Sequence, residues 1–465
     1  MKFTVLWTDC LIYLLVALAL LFAIKAYFNP HLRKIWRKVI YRPLNLVAIV
    51  ILISYAVIGL LDTVHLHETI EDQKESQTGM ISLLDKILQP MILHTERTYS
   101  EPLATHSFTK EAMVLPDGAI VRDYPRLTYG GAHLTSLADK WQDIGHRCLI
   151  AFIQAMLIWT AISILLILMG SRKHRLEWED FLVRIIKGKT HFPWRTLLLS
   201  IGFLLLIITI IHALMPYYHI LGTDEVGEDV LYQTLKSIRT GLIIGTVTTL
   251  LTLPFAILFG IMAGYFRGWA DDAIQYVYTT LSSIPAVLLI AAAVLTLQVV
   301  MNRHGELFET VAHRTDARLL ALCAILGITS WTGLCRLLRG ETMKICQMDF
   351  VAASRTLGSS HMWIIFKHLL PNVFHIILIT IVLDFSGLVL AEAVLSYVGV
   401  GVDPSTYSWG TMINSARLEM ARVPIIWWSL TAAFVFMFVL VLSANIFSDA
   451  VRDAFDPRAR LAGAR

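Results

Sequence analysis

Long apolar runs separated by short polar connections make up most of this chain. A helix needs about 20 apolar residues to cross the hydrocarbon core of a bilayer. Nine runs approach or exceed that length, so the pattern predicts nine transmembrane helices. They cover residues 10–28, 44–61, 148–169, 196–214, 238–264, 276–301, 318–338, 373–396 and 424–447. Pro254 and Pro285 fall inside two of these runs and predict kinks.

The composition agrees with a polytopic membrane protein. Hydrophobic residues make up 56% of the chain and charged residues only 16%, against about a quarter in soluble domains. The first run, "LIYLLVALALLFAIKAYF", follows a single lysine and is not followed by a small-x-small cleavage site. We therefore expect a retained helix and not a cleaved signal peptide.

The basic residues predict which side of the membrane each connection occupies. Segment 29–43 carries five basic residues and no acid, and segment 170–195 carries seven basic residues and three acids. The C-terminal tail adds Arg452, Arg458, Arg460 and Arg465. Basic connections favour the cytoplasm, and nine helices put all three regions on one side. The N-terminus is then outside, and the C-terminus and loop 340–372 are cytoplasmic.

The connection 62–147 falls on the opposite side and carries 13 acids against 8 basic residues. Helical stretches such as "ISLLDKILQPMIL" predict a small folded extracytoplasmic domain, and a loosely structured insert is the alternative. The five cysteines show neither CxxC nor zinc spacing, so no metal site is expected. Cys10 and Cys148 both fall at outer helix ends, which leaves a disulfide or two unpaired thiols open.

Catalytic motifs are missing from the sequence. It has no GxxxxGK[ST] phosphate loop, HExxH or GxSxG motif, so we expect neither an enzyme nor ATP hydrolysis by this chain. No feature points to nucleic acid. Acids are also scarce in the predicted helices, which argues against a proton- or sodium-coupled carrier.

The exception is helix 373–396, which contains Asp384 and Glu392. Their spacing puts them about 12 Å apart along the helix and about 80° apart around it. A carboxylate near the membrane midplane usually faces a cavity or a partner. Both residues are therefore candidates for lining a translocation path, with a paired or protonated Asp384 as the alternative.

The sequence of the loop 340–372 predicts two short helices. Residues 341–357 contain no Gly or Pro, Gly358 suits the left-handed position after a helix, and Ser359 or Ser360 can cap a second helix that Pro371 ends. Ala352, Ala353 and Ser354 would let another surface approach the backbone closely. The loop is interpreted either as a docking element or as an ordinary interfacial linker.

The stretch "DFVAASRTLGSSHMWIIFKHLLPN" resembles the EAA loop of bacterial ABC-importer permeases. That resemblance implies a coupling helix that inserts into a groove of a cytosolic ATPase subunit. Ala352 stands where the family usually has an acid, and Ser354 where it has an alanine. The implied coupling residues are Ala352, Ala353, Ser354, Arg355, Gly358, His368, Pro371 and Asn372.

Four further stretches resemble the C-type permease of the dipeptide/oligopeptide branch. They are "LGTDEVGEDVLYQTL" (221–235), "ITSWTGLCRLLRGE" (328–341), "LAEAVLSYVGVGVDPSTYSWGTMI" (390–413) and "NIFSDAVRDAFDPR" (445–458). Glu228 replaces the arginine that is usual in the first stretch. Segment 33–61 resembles the usual basic stretch and first helix, so the first core helix of the family corresponds to either 44–61 or 196–214.

The resemblance implies an all-α polytopic fold with a six-helix type I importer core and an extracytoplasmic insert. The implied partners are a second permease in a heterodimer, two P-loop ATPase subunits that bind ATP and Mg²⁺, an extracytoplasmic substrate-binding protein and the lipid bilayer. This chain would then need no cofactor of its own. The implied binding-protein contacts are Asp224, Glu225, Glu228 and Trp409, and 228–238 is expected to form an amphipathic helix on the outer membrane face.

The expected organisation has four parts in a bacterial inner-membrane protein. They are a two-helix segment 1–61, the insert 62–147, an extra helix with a basic loop 148–195, and the permease core 196–465 with its coupling loop 340–372. Peptides are the default cargo of the family, but the sequence does not identify the substrate. The alternatives are a secondary transporter and a membrane-anchored sensor or scaffold built on 62–147.

Overall fold

The computed structural model describes residues 2–4, 6–67, 80–114, 120–175, 177–304 and 310–455. Within these ranges nine helices are long and apolar enough to cross a membrane, which confirms the predicted number. Parts of the insert lie outside the described residues, as do Arg458, Arg460 and Arg465 of the basic tail. The chain divides into two compact units, and each is described by itself.

The first unit comprises residues 1–4, 37–239 and 415–443. Its long helices are α3 (Pro43–Thr63), α6 (Lys140–His174) and α8 (Trp194–Leu214), with the shorter α7 (Trp178–Ile186) between the last two. Helices α6 and α8 pack closely, because Gly202 makes room for the Trp159 ring and the Trp159 Nε1–H donates to the Leu198 carbonyl at 2.7 Å. The apolar runs therefore form a helical hairpin in this unit.

The insert in the first unit contains both helices and strands. The helices are α4 (Leu83–Ile87) and α5 (Gln89–Leu93). An antiparallel sheet pairs β1 (Lys2–Thr4), β2 (His65–His67) and β3 (Met80–Ser82), and a hairpin pairs β4 (Glu111–Val114) with β5 (Ile120–Asp123). Leu66 lies opposite Ile81 and Ala112 opposite Arg122. These strands were not predicted, because three or four residues are too few for alternation to be recognised.

The second unit comprises residues 5–36, 240–414 and 444–465. Helix α12 lies at its centre, with a buried apolar cluster around each half of the helix. The helices in this unit are α1 (Trp7–Phe28), α10 (Trp269–Ser283), α11 (Ala286–Arg303), α12 (Val311–Ile345), α13 (Asp349–Thr356), α14 (His361–Ile364) and α15 (Leu370–Tyr397). Four more helices have residues in both units: α2 (Pro30–Ile40), α9 (Val230–Phe266), α16 (Trp409–Glu419) and α17 (Trp428–Phe455).

The prediction of one kinked helix over 276–301 is wrong. Helix α10 ends at Ser283, Ile284 is extended with φ −88° and ψ 131°, and α11 begins at Ala286. Proline cannot donate a helical hydrogen bond and disfavours a helical conformation in the residue before it. Pro285 therefore separates two helices, whereas Pro254 remains inside α9.

The expected amphipathic helix over 228–238 is not a separate element. Residues from Val230 onward belong to α9, a single helix of 37 residues. Asp229 precedes its first turn and its Oδ1 accepts the N–H groups of Leu231 and Tyr232 at 2.8 and 3.2 Å. Val230, Leu231 and Ile238 are buried in the protein, so this apolar face does not lie on a membrane surface.

Helix α1 is packed into the second unit. The Thr8 N–H donates to Asp316 Oδ2 of α12 at 3.2 Å, and Leu11, Ile12 and Leu15 lie against the apolar cluster of the same unit. All five cysteines are free thiols in the structure, including Cys10 and Cys148.

Candidate functional site

The loop 340–372 folds as a helix–turn–helix in the second unit. Helix α13 ends in a left-handed turn at Gly358, where φ is 76°. The Ser359 N–H donates to the Ser354 carbonyl at 3.2 Å and the Gly358 N–H to the Arg355 carbonyl at 3.0 Å, a double closure that satisfies the last carbonyls of the helix. The predicted turn at Gly358 is thus present.

The second half of the loop differs from the prediction. The Ser360 hydroxyl caps α14 by accepting the Trp363 N–H at 3.3 Å. The helical run then passes through a π segment, Ile365–Leu369, straight into α15. Pro371 does not end the helix, because it stands in the first turn of α15, where a missing N–H costs little. The loop is therefore continuous with a long apolar helix.

Three side chains fasten the loop to the body of the second unit. Val351, Ile364 and Leu369 are fully buried, in one cluster with Trp331 and Leu338 of α12. Burial of each such side chain contributes about 1.5–3 kcal/mol. The loop consequently has an apolar foundation that holds it against α12.

The end of α9 holds both halves of the loop. The Tyr265 hydroxyl lies 2.8 Å from His361 Nδ1, and the Arg355 guanidinium lies over the Tyr265 ring at 4.7 Å. Helix α9 comes this close to α12 because Gly260 and Gly264 face Leu338 and Thr342, where a Cβ would be crowded. The loop and the adjoining parts of α9, α12 and α15 therefore form one packed block.

The opposite face of the loop is apolar and exposed. Leu357 is 84% exposed and Phe366 is 63% exposed. His368 is half-buried between the rings of Phe350 and Trp363, at 5.6 and 4.9 Å. We call this set the loop face: Met348, Phe350, Leu357, Met362, Trp363 and Phe366. Large exposed apolar side chains on one short loop are a candidate interaction surface.

The loop residues predicted from the sequence divide by exposure. Ala352, Ala353, Arg355, Gly358, Pro371 and Asn372 are exposed beside the loop face. Ser354 is buried, and its hydroxyl donates to Ser359 Oγ at 3.2 Å, so it supports the turn from inside. Sequence reasoning missed the loop face itself. The signal was available as six large apolar residues within the loop 340–372.

The two candidate path residues of α15 lie in different surroundings. Glu392 is 2% exposed, accepts the Ser396 hydroxyl at 2.7 Å and lies against Gly410. Asp384 is half-buried two turns earlier. The structure therefore places Glu392 inside the protein and leaves only Asp384 partly accessible.

The acidic candidates of segment 221–235 form one loop in the first unit. Asp224 Oδ1 accepts the N–H groups of Val226 and Glu228, and Gln233 Nε2 bridges Asp224 and Glu228 at 2.6 and 3.0 Å. Burial raises the pKa of Asp224. Glu225 is exposed and pairs with Arg422 at 2.8 Å. Of the three, Glu225 is the one open to another molecule.

Trp409 is not grouped with these acids. It belongs to the second unit, is only 1% exposed and lies against Gly241, where a Cβ would be 2.9 Å from the ring. The expectation that Trp409 faces a binding protein is corrected accordingly. The ring fills the protein interior, where burying a large aromatic surface is favourable.

The insert covers segment 219–236 through close polar contacts, which we call the insert contact. Thr223 Oγ1 donates to the Thr98 carbonyl at 2.9 Å and accepts the Ser100 N–H at 2.7 Å. Gly227 has φ 80°, and a Cβ there would collide with the Glu96 carbonyl oxygen. The insert backbone is therefore seated directly on this segment.

A buried charge cluster supports the insert contact. The Glu96 carboxylate accepts the N–H groups of Thr128, Tyr129 and Gly130 at 2.8–3.0 Å. His219 lies 3.6 Å from Glu96 Oε1 and 3.0 Å from Asp229 Oδ2. These groups link the insert to the residues preceding α9.

The charge cluster shifts two pKa values in opposite directions. Burial alone would raise the pKa of Glu96, but the nearby His219 and hydrogen bonds from three backbone N–H groups outweigh burial and lower it to about 2. Burial alone would lower the pKa of His219, but its hydrogen bond to Asp229 and the nearby Glu96 carboxylate raise it to about 9. Both groups are therefore charged at neutral pH.

A second ionic link joins the insert to α3 and α9. Lys236 Nζ lies 2.7 Å from Asp62 Oδ1 and 2.8 Å from Asp85 Oδ1, and the Tyr232 hydroxyl donates to Asp85 at 3.0 Å. Burial opposes the charge of Asp85, but Lys236 outweighs it and lowers the pKa of this carboxyl. The insert is thus attached at two buried polar points.

Among the residues that the structure describes, no group of three or more His, Cys, Asp or Glu side chains could hold a metal ion.

Comparisons with known proteins match the C-terminal half of this chain. The family model described as "Binding-protein-dependent transport system inner membrane component" matches residues 256–461. The chain is 32% identical over 242 residues to the oligopeptide transport system permease protein OppC of Mycobacterium bovis, covering 52% of this chain and 77% of that protein. It is 33% identical over 241 residues to the dipeptide transport system permease protein DppC of Lactococcus lactis, covering 52% and 64%.

A weaker likeness is found among solved structures. A chain of the MetNI methionine ABC transporter, solved in inward-facing conformations, matches with a TM-score of 0.37 and 16% sequence identity. The match covers 49% of this chain and 98% of that chain.

Proposed function

Since this chain belongs to the family of binding-protein-dependent transport system inner membrane components, we propose that it carries di- or oligopeptides or peptide-like solutes across the inner membrane. It is the multi-pass permease of an ABC importer, in which separate ATPase subunits hydrolyse ATP. The names of the oligopeptide and dipeptide permeases among its relatives support this cargo class. They favour neither a secondary transporter nor a sensor.

The loop 340–372 is proposed to receive an ATPase subunit, and the exposed loop face is the observation that carries this assignment. The face lies on a loop fastened by buried Val351, Ile364 and Leu369, so a push on it is passed to the packed helices and not absorbed by the loop. Ala352, Ala353 and Arg355 form its small and charged rim. Energy would enter this chain through contacts alone.

The proposed assembly is a heterodimer with a second permease, two ATPase subunits that bind ATP and Mg²⁺, and an external binding protein. The basic segments 29–43 and 170–195 support an outside N-terminus and a cytoplasmic C-terminus. On that orientation loop 340–372 is cytoplasmic and the insert is external. Glu225 is the acidic residue best exposed for a binding protein.

Introducing negative charge on the loop face tests the docking proposal. Leu357→Asp with Met362→Asp puts two carboxylates on an exposed apolar surface. They should not disturb folding, but they should prevent the loop face from entering an apolar groove of the ATPase subunit. We expect the ATPase subunits to be lost on purification and ATP-dependent peptide uptake to fall at least tenfold. Val423→Asp, at an equally exposed apolar residue outside the loop, is the control and should retain the ATPase subunits. Normal uptake by the double variant would refute the docking role.

A further inference from the structure

The break between α10 and α11 leaves polar backbone groups at a point where two helices meet end to end. Leu288 and Leu289 both direct their N–H groups to the Pro285 carbonyl, at 3.0 and 3.2 Å. That leaves the N–H groups of Ala286 and Val287 and the carbonyls of Ser282 and Ser283 without a partner in their own helices, as is usual at helix ends. Such groups need water, protein or a ligand.

Helix α12 fixes the two sides of the break. On one side Arg339 makes two parallel hydrogen bonds to Asp271 of α10, at 2.6 and 2.8 Å. On the other side Ile290 and Val294 of α11 are buried with Leu322 of α12. Because α10 and α11 are each held to the same helix, the break is held in place opposite the middle of α12.

The break lies at the start of the apolar helix α11 (Ala286–Arg303) and against an apolar part of α12. It faces Thr329 and Thr332, which belong to the uncharged stretch 319–335 of α12, between Arg318 and Arg336. A stretch of 17 residues spans about 25 Å as a helix, close to the thickness of the hydrocarbon core. Irregular backbone within the hydrocarbon core is not found facing lipid and occurs only against protein or a water-filled cavity.

A cavity of about 470 Å³ lies at the break. Hydroxyl groups line it on both sides, from Ser282 and Ser283 at the end of α10 and from Thr329 and Thr332 of α12. The rest of its lining is apolar and consists of Leu281, Ile284, Pro285, Ala286 and Leu289. Its described lining contains no charged side chain. Ser282, Ser283 and Pro285 are exposed in this chain. Hydroxyls beside helix-end amides suit water and polar solutes better than the apolar surface of another helix.

We propose that the cavity at the α10–α11 break is a binding site on the translocation path and that it binds the peptide backbone of the cargo. This assignment rests on the proposed peptide import. The Ser283 and Thr329 hydroxyls donate within their own helices and can accept a peptide N–H. The Ser282 and Thr332 hydroxyls and the helix-end backbone groups can pair with a peptide N–H or C=O, and the uncharged lining does not select among side chains. It thus holds cargo of varied sequence, and Asp384 and Glu392 are not needed for this contact.

Thiol labelling tests whether the cavity is wet and receives peptide. The complete importer is reconstituted in vesicles with the five native cysteines replaced, and Ser282→Cys is labelled with a charged methanethiosulfonate. Leu199→Cys, exposed on the uninterrupted helix α8, is the matched control. We expect labelling of Ser282→Cys to be at least tenfold faster and to slow when a pancreatic casein digest is added.

The outcomes separate this proposal from peptide import itself. Normal uptake of casein peptides without labelling at residue 282 would mean that a partner subunit covers the break, and the cavity assignment would be overturned. Labelling that casein peptides do not slow would overturn peptide binding there. If no ATP-dependent uptake of casein peptides occurs at all, peptide import fails as well.

A kinetic test addresses the hydroxyls. Thr332→Val keeps the shape and removes the hydroxyl, and loss of one hydrogen bond corresponds to about a fivefold change in affinity. We expect the KM for peptide uptake to rise about fivefold, with unchanged basal ATPase activity, and Thr332→Ser to restore it. Thr296→Val, on α11 outside the cavity, should leave the KM unchanged. An unchanged KM in Thr332→Val would count against the assignment.

Discussion

The loop 340–372 rests on three uncharged side chains, Val351, Ile364 and Leu369, whereas segment 219–236 meets the insert through carboxylates, an imidazole and an ammonium group. Apolar burial is insensitive to pH and tolerates small adjustments of geometry. Buried ion pairs require their partners, because an unpaired buried charge is costly. The loop is therefore held by contacts that do not depend on charge, whereas the insert contact depends on charged partners that must stay paired.

Two glycines show the same contrast. Gly227 and Gly358 both have left-handed backbone, with φ 80° and 76°. A Cβ at Gly227 would collide with the Glu96 carbonyl, whereas no described atom lies within 4 Å of a Cβ built at Gly358. The same residue type thus serves close packing in the insert contact and only a turn in the loop.

The largest expected effect on stability is the difference between substituting Gly227 and substituting Gly358. Gly227→Ala should destabilise the insert contact by about 4 kcal/mol, since left-handed strain adds to a backbone collision. Gly358→Ala should cost only about 1 kcal/mol, because strain acts alone. Melting temperature and proteolysis of the insert in the purified complex measure both. Equal effects of the two substitutions would mean that the insert backbone is not seated on Gly227.

The next effect distinguishes the foundation of the loop from its face. Leu369→Ala should cost about 3 kcal/mol, because it opens a cavity in a fully buried cluster. Leu357→Ala should leave the melting temperature unchanged and instead weaken ATPase binding. Thermal unfolding and ATPase co-purification are measured on the same preparations. A stability loss confined to Leu357→Ala would reverse the two roles.

A pH dependence should be confined to the insert contact. Stability from the lowered Glu96 pKa is present above pH 4.5 and lost as the pH falls toward 2. Stability from the raised His219 pKa is present below pH 6.5 and lost as the pH rises toward 9. We expect hydrogen exchange at Thr128, Tyr129 and Gly130 to accelerate from pH 6 to 9.5 beyond its intrinsic increase, by the equivalent of about 2 kcal/mol.

The matched variant for this pH effect is His219→Gln, which removes the charge and keeps a polar side chain. In this variant the backbone amides of Thr128, Tyr129 and Gly130 should exchange faster at pH 6 than in the unchanged protein. Their exchange should also lose the acceleration beyond the intrinsic increase between pH 6 and 9.5. Residues Val351 and Ile364 of the loop should show no such change at any of these pH values. Equal pH dependence in both regions would contradict the assignment to His219.

The smallest expected effect concerns the contact between Tyr265 of α9 and His361 of the loop. Tyr265→Phe removes the hydroxyl at 2.8 Å from His361 and should cost about 1 kcal/mol. It should also loosen coupling, seen as ATPase activity that responds less to peptide. Tyr276→Phe, at an exposed tyrosine of α10, is the control and should change neither quantity. Unaltered coupling in Tyr265→Phe would mean that the ring contacts alone hold the loop.

The site could be predicted from the sequence only in part. Gly358 and Ser360 were recognisable because turns and caps depend on a few neighbouring residues. The exposed loop face, the burial of Ser354 and the burial of Trp409 were not, because each depends on what another helix covers. The sheet of β1 and β2 escaped for a related reason, since their pairing joins segments distant in the chain.

Local hydrophobicity by itself determined the nine apolar helices, since a run long enough to cross a bilayer satisfies its backbone within itself. The sequence also carried the motifs of the permease family. The effect of three prolines could not be read from the sequence. Pro254 stays inside α9, Pro371 lies in the first turn of α15 after a π segment, and Pro285 separates two helices. Only tertiary structure chose among these outcomes, because neighbouring elements decide how the backbone groups freed by a proline are accommodated.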